Sequence, residues 1–553
     1  MKKSNLKISP LNLIFAIQLV FFGLIVTGIL PRNVVPYFVT VLAIYVLVAS
    51  TEDASIFFIR SIPFFIAIPL TATFDNFNTW RIIAGIIFLK WLWPQISNGH
   101  KGYCSASLGC FQFSIFKKGV APERGPRSRG GILAEHVRGA AGTGPLLGGL
   151  MFFAVLSIIP APDKVLAVKR VLYFLNLSLM GFVIYDLSRN IQFAKRLINN
   201  IPIPVIIVTL VGFIQLASTY FIDIYQFMRL WGEGIQCNQF GNQWCDIAVQ
   251  VGNTWFAYYG EQLSLRMFSL FTDSHSFPLF ILLGLPAIFA IAISEKVSKF
   301  SENLKRLFIT RSQIFIIWVP IVFLAMILSG TRGIWAGSIA GLLAGLFFIF
   351  ILRLNKSNDK KNILIYTTSH LTIFFLLFTI AFPIFESPQF LLSKGNSLLF
   401  GKRIRSIIDL GETSNSQRIE IWKASLMSIK NNPFLGIGIG NFPIVLNQKL
   451  ELAKAGSSAH NAYLHIASEM GLPALFFGLW FLLILLKKTY LNFVTSKDWL
   501  ITIYNCSALI FIPWFLAYLL TDATLFDERI FLIFTVTSAL VLGIKNPDQT
   551  GQS

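Results

Sequence analysis

Ser457-Ser458-Ala459-His460-Asn461-Ala462-Tyr463-Leu464-His465-Ile466-Ala467-Ser468-Glu469-Met470-Gly471-Leu472-Pro473 marks the point where the chain changes solvent. Before it lies a long polar, Gly-punctuated stretch, and after His460 and Asn461 the next twenty or so residues are almost all apolar. A run of about 20 residues at 1.5 Å rise crosses the hydrocarbon core of a bilayer. The stretch therefore predicts a membrane helix with an imidazole at its mouth.

Composition extends that reading to the whole chain. At 553 residues, with 55% hydrophobic and 13% charged side chains, it is too apolar for one soluble domain and too long for a single anchor. The net charge of +20 would suit a nucleic-acid binder, but Lys and Arg gather between apolar runs and form no nucleic-acid motif. A basic excess is also what cytoplasmic membrane loops carry, so no nucleic-acid partner is expected. Five cysteines in so long a chain exclude a disulfide scaffold and show no zinc spacing. Lys2 and Lys3 precede an apolar run that is long enough to span and has no small-residue cleavage site, so no cleavable leader is expected.

Spanning-length runs recur near 11–30, 34–50, 55–73, 80–96, 144–162, 170–187, 201–222, 276–294, 313–330, 334–352, 363–385, 464–486, 499–520 and 527–544. The expected fold is an all-α polytopic membrane helix bundle of about 12–14 transmembrane helices. If spans alternate from an inside N-terminus, Lys2, Lys3 and Lys7, Arg189 to Arg196, Lys296 to Arg311, Arg353 to Lys361, and Lys487 with Lys488 all fall on one side. The positive-inside rule then makes both termini cytoplasmic. It also puts 223–265, the turn Ser329 to Gly333, the loop 386–463 and the turn Thr521 to Arg529 on the outer side.

The expected organisation is 1–98 N-terminal transmembrane helices, a basic Gly/Arg-rich cytoplasmic loop at 99–145, and central transmembrane helices at 146–385. A large outer loop at 386–463 and C-terminal transmembrane helices at 464–553 complete it. The 99–145 segment cannot bury a core and reads as disordered. Within the outer loop, Ser414 with Gln417 makes a capping box, and Ile419, Trp422, Leu426 and Ile429 recur at helical spacing. Asn431-Asn432-Pro433 stops that helix. The loop is thus a folded cap with a stripe toward membrane or bundle. The glycines of Gly436-Ile-Gly438-Ile-Gly440 permit close backbone approach, although a flexible turn is the simpler reading.

Three ionisable residues fall at outer helix ends: Arg266 before the 276–294 span, Arg332 in the turn between two spans, and His460 before 464–486. An arginine there either snorkels or grips an anion, and positive charge in short outer turns runs against the usual bias. Two converging guanidiniums suit a pyrophosphate. His460 can take a proton from an attacking hydroxyl, or can simply be a bonded loop histidine. Glu469, within an apolar span, is costly to ionise and so is paired or functional, and His465 at i−4 can satisfy it. Arg418 could touch substrate, although a solvated helix face is the simpler reading. Asn461 and Tyr463, beside His460, are further accessory candidates. Asp273 with His275 is too little for a metal site, so no metal and no cofactor are expected. Cys237 and Cys245 share an outer loop and are a candidate disulfide pair, with geometry left to decide.

Taken in order, Leu328-Ser329-Gly330-Thr331-Arg332-Gly333-Ile334-Trp335, Arg418-Ile-Glu-Ile-Trp422, Asn432-Pro433-Phe-Leu-Gly436-Ile-Gly438, and Ala459-His460-Asn461-Ala462-Tyr463-Leu464 with Glu469-Met-Gly471-Leu472 resemble the O-antigen ligase/polymerase superfamily. The resemblance covers about 200–545 and implies a bacterial inner-membrane, multi-pass glycosyltransferase of class C-like fold, with its active site on the periplasmic side. It implies an undecaprenyl pyrophosphate-linked glycan as donor and lipid A-core or another glycan as acceptor, without a metal. By resemblance, Arg266 and Arg332 bind the donor pyrophosphate and His460 orients or deprotonates the acceptor hydroxyl. The stretch Phe271 to Pro278 departs from the small-residue and His-Pro-Asn-like texture expected after Arg266. A polymerase and a protein O-oligosaccharyltransferase share this chemistry. A membrane transporter is the reading from another class; it would show internal repeats and ionisable or broken-helix sites near mid-bilayer, whereas no repeat is seen and the candidate groups lie at an outer helix edge.

Overall fold

The structure is a computed structural model that describes residues 9–71, 77–97, 144–242, 244, 252–259, 262–299, 311–354, 358–391, 413–448 and 458–545. The expectation for 99–145 lies outside these residues except at 144 and 145, as does Cys245.

The first half of the chain forms α1 (Pro10–Val26), α2 (Val35–Val48), α3 (Thr51–Ser61), α4 (Thr79–Ser97), α5 (Gly144–Leu156), α6 (Lys164–Leu187), α7 (Ile191–Ile198), α8 (Pro202–Ser218), α9 (Ile224–Phe227) and α10 (Cys237–Phe240). The second half forms α11 (Ser276–Lys299), α12 (Arg311–Leu328), α13 (Arg332–Leu354), α14 (Asn358–Ser369), α15 (Leu371–Glu386), α16 (Thr413–Asn431), α17 (Ala462–Thr495), α18 (Trp499–Tyr518) and α19 (Glu528–Gly543). Two short antiparallel pairs are the described strands: β1 (Ala67–Ile68) with β2 (Phe77–Asn78), and β3 (Phe256–Tyr259) with β4 (Gln262–Leu265).

Among the described residues seven helical segments are long and apolar enough to cross a membrane, and four shorter apolar helices accompany them. The protein is an all-α polytopic membrane protein. Helices α4 and α19 form at the expected 80–96 and 527–544 but fall outside those eleven, and one expected span is not a single helix. The run 55–73 is only partly helical, because α3 ends at Ser61 and passes through Pro63 into β1. A proline and the pairing of β1 with β2 stop the helix well short of spanning length.

Burial sorts the helices into centre and rim. The apolar window of α11 is 94% buried within the protein and that of α18 72%, against 33% for α6, α13 and α17. Thus α11 and α18 form the hub, packed on each other, with α12 and α19 on α11 and α13 and α17 on α18. The rim helices keep apolar faces outward, as at Leu343, Phe347 and Leu483, which is where lipid replaces water as solvent.

The glycine triplet is a packed joint rather than a flexible turn. Helix α17 breaks at Gly471, whose φ of 85° and ψ of 169° are non-helical. The carbonyls freed just before the break accept from the outer loop, Ser468 O from Ile437 N at 2.9 Å and Glu469 O from Gly438 N at 3.0 Å. Leu472 N donates in turn to Pro433 O at 2.7 Å. Gly436, Gly438 and Gly440 all have positive φ. A Cβ on Gly436 would sit 2.4 Å from Glu469 C, and one on Gly438 2.4 Å from Ala161 Cβ. Bare α-carbons are what let this loop enter the break.

Candidate active site

Arg266 follows strand β4, and its backbone N–H donates to Trp255 O at 2.8 Å. Its stem lies over the turn that starts α13. Gly330 there has φ of 64°, and a Cβ on it would meet Arg266 Cγ at 3.0 Å. Arg332 is the first residue of α13. Thr331, just before it, donates from Oγ1 to Ser274 O at 2.7 Å, tying this turn to the start of α11. The Ser-Gly-Thr-Arg motif therefore brings two arginines from distant segments to one end of the bundle.

Opposite them stands His460. Asn461 is the N-cap of α17, its Oδ1 accepting from Tyr463 N and Leu464 N at 3.0 Å each. That cap leaves His460 just outside the helix with φ of 45°, a left-handed conformation that costs a non-glycine residue about 1–3 kcal/mol. Two contacts hold the strained residue in place. Ala462 N donates to Leu519 O at 2.9 Å, and Trp422 Nε1 on α16 donates to Ala459 O at 3.0 Å. The apolar stripe expected on the outer-loop helix is thus split in use: Ile429 is buried, Trp422 clamps the loop before His460, and Leu426 is exposed.

These elements enclose an open cavity of about 190 Å³. Its lining includes Arg266, Arg332, Arg418, His275, His460 and Tyr518. Three guanidiniums and two imidazoles share one concave surface, a geometry that concentrates anions. Arg418 belongs to this cavity, with its neighbours Gln417 and Ile421, rather than to a solvated face. The remaining accessory candidates do not line it. Asn461 is a cap, and Tyr463 donates from its hydroxyl to Leu516 O at 2.9 Å. Glu469 is spent on the joint: Oε1 accepts from Phe442 N at 3.1 Å and Oε2 lies 3.6 Å from His465 Nε2.

Asp522 and His275 complete the site. The side chain of Asp522 is 11% exposed, and its Oδ2 lies 3.3 Å from His275 Nδ1 and 3.8 Å from His460 Nδ1. Both are ion-pair separations, with His275 the closer. Burial raises the Asp522 carboxyl, but His275, His460 and the Thr524 hydroxyl together hold it below the usual carboxylate range. Burial pushes the His275 imidazole below its ordinary value, and Asp522 offsets only part of that. At neutral pH the pair is therefore an ionised carboxylate beside a neutral imidazole. Tyr518 closes the group, its hydroxyl 3.4 Å from His275 Nδ1.

Reading the sequence missed Asp522 and Tyr518, and saw His275 only as half of an inadequate metal pair. Asp273 is in fact the cap of α11, its Oδ1 accepting from His275 N at 2.8 Å and Ser276 N at 2.7 Å. Asp522 did leave a signal, since a carboxylate in a short turn between two apolar runs needs a partner. Cys237 is disulfide-bonded. Among the described residues no group of three or more His, Cys, Asp or Glu is placed to hold a metal ion.

No curated protein matches the chain. The family model described as O-antigen ligase matches residues 317–479, a stretch that holds Arg332, Arg418 and His460 but stops short of Arg266, His275 and Asp522. Seven of the eleven residues that line the cavity fall inside that match and four, Arg266, His275, Tyr518 and Thr521, fall outside it, so the chain is an all-α membrane protein whose residues 317–479 match the O-antigen ligase family.

Proposed function

We propose that the protein moves a glycan from an undecaprenyl pyrophosphate carrier to an acceptor hydroxyl at the periplasmic face of the bacterial inner membrane. Lipid A-core is the acceptor that fits the ligase reading. The observation that carries this is the meeting of Arg266, Arg332 and His460, from three separate segments, in one cavity.

The chemistry follows from what these groups do. Pyrophosphate is already a good leaving group, so the reaction needs a site for its growing charge, a placed acceptor and one base. Arg266 and Arg332 offer planar forks that pair with phosphate oxygens in bidentate fashion, and Arg418 adds a third cation from the loop helix. The bond from the sugar anomeric carbon to the pyrophosphate oxygen breaks as the acceptor oxygen bonds to that carbon. The acceptor proton passes to His460, whose Nδ1 faces Asp522 and whose other ring nitrogen is then the acceptor-side base. Asp522 stabilises the imidazolium that results, and the released carrier keeps both phosphates. No metal enters this scheme.

The test is reconstitution of the purified chain with an undecaprenyl pyrophosphate glycan, offering lipid A-core, a second lipid-linked glycan or an acceptor protein separately. Glycan should appear on lipid A-core, and His460→Ala should abolish transfer while leaving membrane insertion intact. Wild-type transfer by His460→Ala would remove the base role. Transfer only to the second lipid-linked glycan or only to protein would make this a polymerase or a protein transferase.

A further inference from the structure

A second pair of arginines stands at the same end of the bundle, outside the cavity. Arg81 is the third residue of α4 and Arg170 the seventh of α6, so both lie within two turns of their helix starts. Both starts are tied to the site end. Asn78, just before α4, donates to Glu528 at the start of α19, in the turn that carries Asp522. Asp163, just before α6, donates its backbone N–H to Asn441 Oδ1 at 3.0 Å.

The two guanidiniums converge on one ring. Arg81 Cζ lies 5.6 Å and Arg170 Cζ 5.8 Å from the centre of Tyr173. Arg81 also stacks on Phe77 and Trp80, at 5.5 and 5.4 Å. Among the described residues neither arginine has a carboxylate within ion-pair distance, and Arg81 Nε is buried without a hydrogen-bond partner. Glu528 lies close enough for its carboxyl to feel the Arg81 charge, and it is already engaged by Asn78 and by Trp80 Nε1, the latter at 2.9 Å. Lys164 and Lys169 add two exposed cations on the same half of α6.

A snorkelling arginine extends alone toward lipid phosphate. Two like charges drawn onto one aromatic ring at the edge of an apolar span instead repel each other, and Glu528, shared with Asn78 and Trp80, offsets only part of that, so the pair attracts a further anion. The pair is also coupled to the cavity through packed backbone. Gly440 leaves room for the Arg170 stem, since a Cβ there would come 2.7 Å from Arg170 Cγ. Two residues on, Phe442 N donates to Glu469 beside His465, on the helix that His460 precedes.

We propose that Arg81 and Arg170, on Tyr173, form a second anion site that holds the phosphate of a membrane-embedded glycolipid, the acceptor, while Arg266 and Arg332 hold the donor pyrophosphate. This rests on the transferase reading. The acceptor's phosphate is gripped at the bilayer edge, and its sugar hydroxyl is presented to His460 from the side opposite the donor.

The full chain in lipid nanodiscs is offered bis-phosphorylated lipid A, its dephosphorylated counterpart and phosphatidylglycerol, and retained lipid is read by native mass spectrometry. Two charge-assisted contacts predict that wild type prefers the phosphorylated lipid A by about tenfold or more. The double variant Arg81→Gln/Arg170→Gln should lose that preference while melting as wild type does. His460→Ala should keep it. In transfer assays the double variant should raise the acceptor KM by a similar factor with the donor KM unchanged. A preference that survives in the double variant overturns the site, and so does equal retention of phosphatidylglycerol by wild type, which would mark a bulk-lipid anchor. A preference lost in the double variant, with no transfer to any acceptor by wild type, would support the anion site and sink the transferase reading alone.

Discussion

His460 Nδ1 lies 3.8 Å from Oδ2 of Asp522, and the same oxygen is 3.3 Å from His275 Nδ1. One buried carboxylate thus serves two imidazoles, and both line the open cavity. His460 is the more exposed at 38%, against 18% for His275, so the solvent-facing ring is the one free to meet substrate.

Removing the charge of Asp522 tests that arrangement directly. Asp522→Asn keeps the shape but leaves the imidazolium of His460 uncompensated, so kcat should fall by about 10²-fold or more with the donor KM little changed. Steady-state kinetics in detergent, with folding checked by size exclusion, would read it. An unchanged kcat would detach Asp522 from the chemistry.

The arginines should be intolerant of lysine. Arg332→Lys and Arg266→Lys keep the charge but lose the planar fork, and each should lower kcat/KM by about 10-fold or more. If both lysine variants performed like wild type, simple charge would suffice and the bidentate reading would go.

His275 should make the fold sensitive to mild acid. Its folded pKa is depressed by burial, so below the unfolded value of about 6.5 the unfolded chain binds a proton that the folded chain refuses. Stability is therefore fully present above that pH and falls as pH drops toward 5, by at most about 1.4 kcal/mol per unit from this group. Apparent melting temperature between pH 7.5 and 5 should decline less in His275→Gln than in wild type. Parallel curves would contradict the assignment.

The joint at the helix break should resist a single methyl group. Gly438→Ala places a Cβ 2.4 Å from Ala161 Cβ at a φ of 102°, and should destabilise by on the order of 2–4 kcal/mol. Limited proteolysis between α16 and α17 should quicken, because the loop that fills the break in α17 would be displaced. Cleavage at the wild-type rate would show that the loop docks without needing the glycine.

Much of this protein was legible before any fold was known. The length of an apolar run is a local property, so helices such as α11, α13 and α18 could be read from residue order alone. The polar residues that interrupt such runs could be read in the same way. Arg266, Arg332 and His460 stood out because charge at the edge of a membrane span needs a reason. The run at 55–73 misled because apolarity does not distinguish a helix from a proline-broken segment that ends in a strand pair.

Convergence was a different matter. Asp522 and His275 become partners of His460 only because the ends of α18 and α11 lie side by side at the hub, and Arg418 enters the cavity only because Trp422 and the Gly436–Gly440 loop fix α16 against α17. Likewise, Arg81 and Arg170 become a pair only through the packing of α4 on α6. Sequence by itself determined which segments enter the membrane and which charges stand at their ends. Tertiary structure decided which of those charges share a cavity, since distances between segments remote along the chain are set by helix packing and not by local residue order.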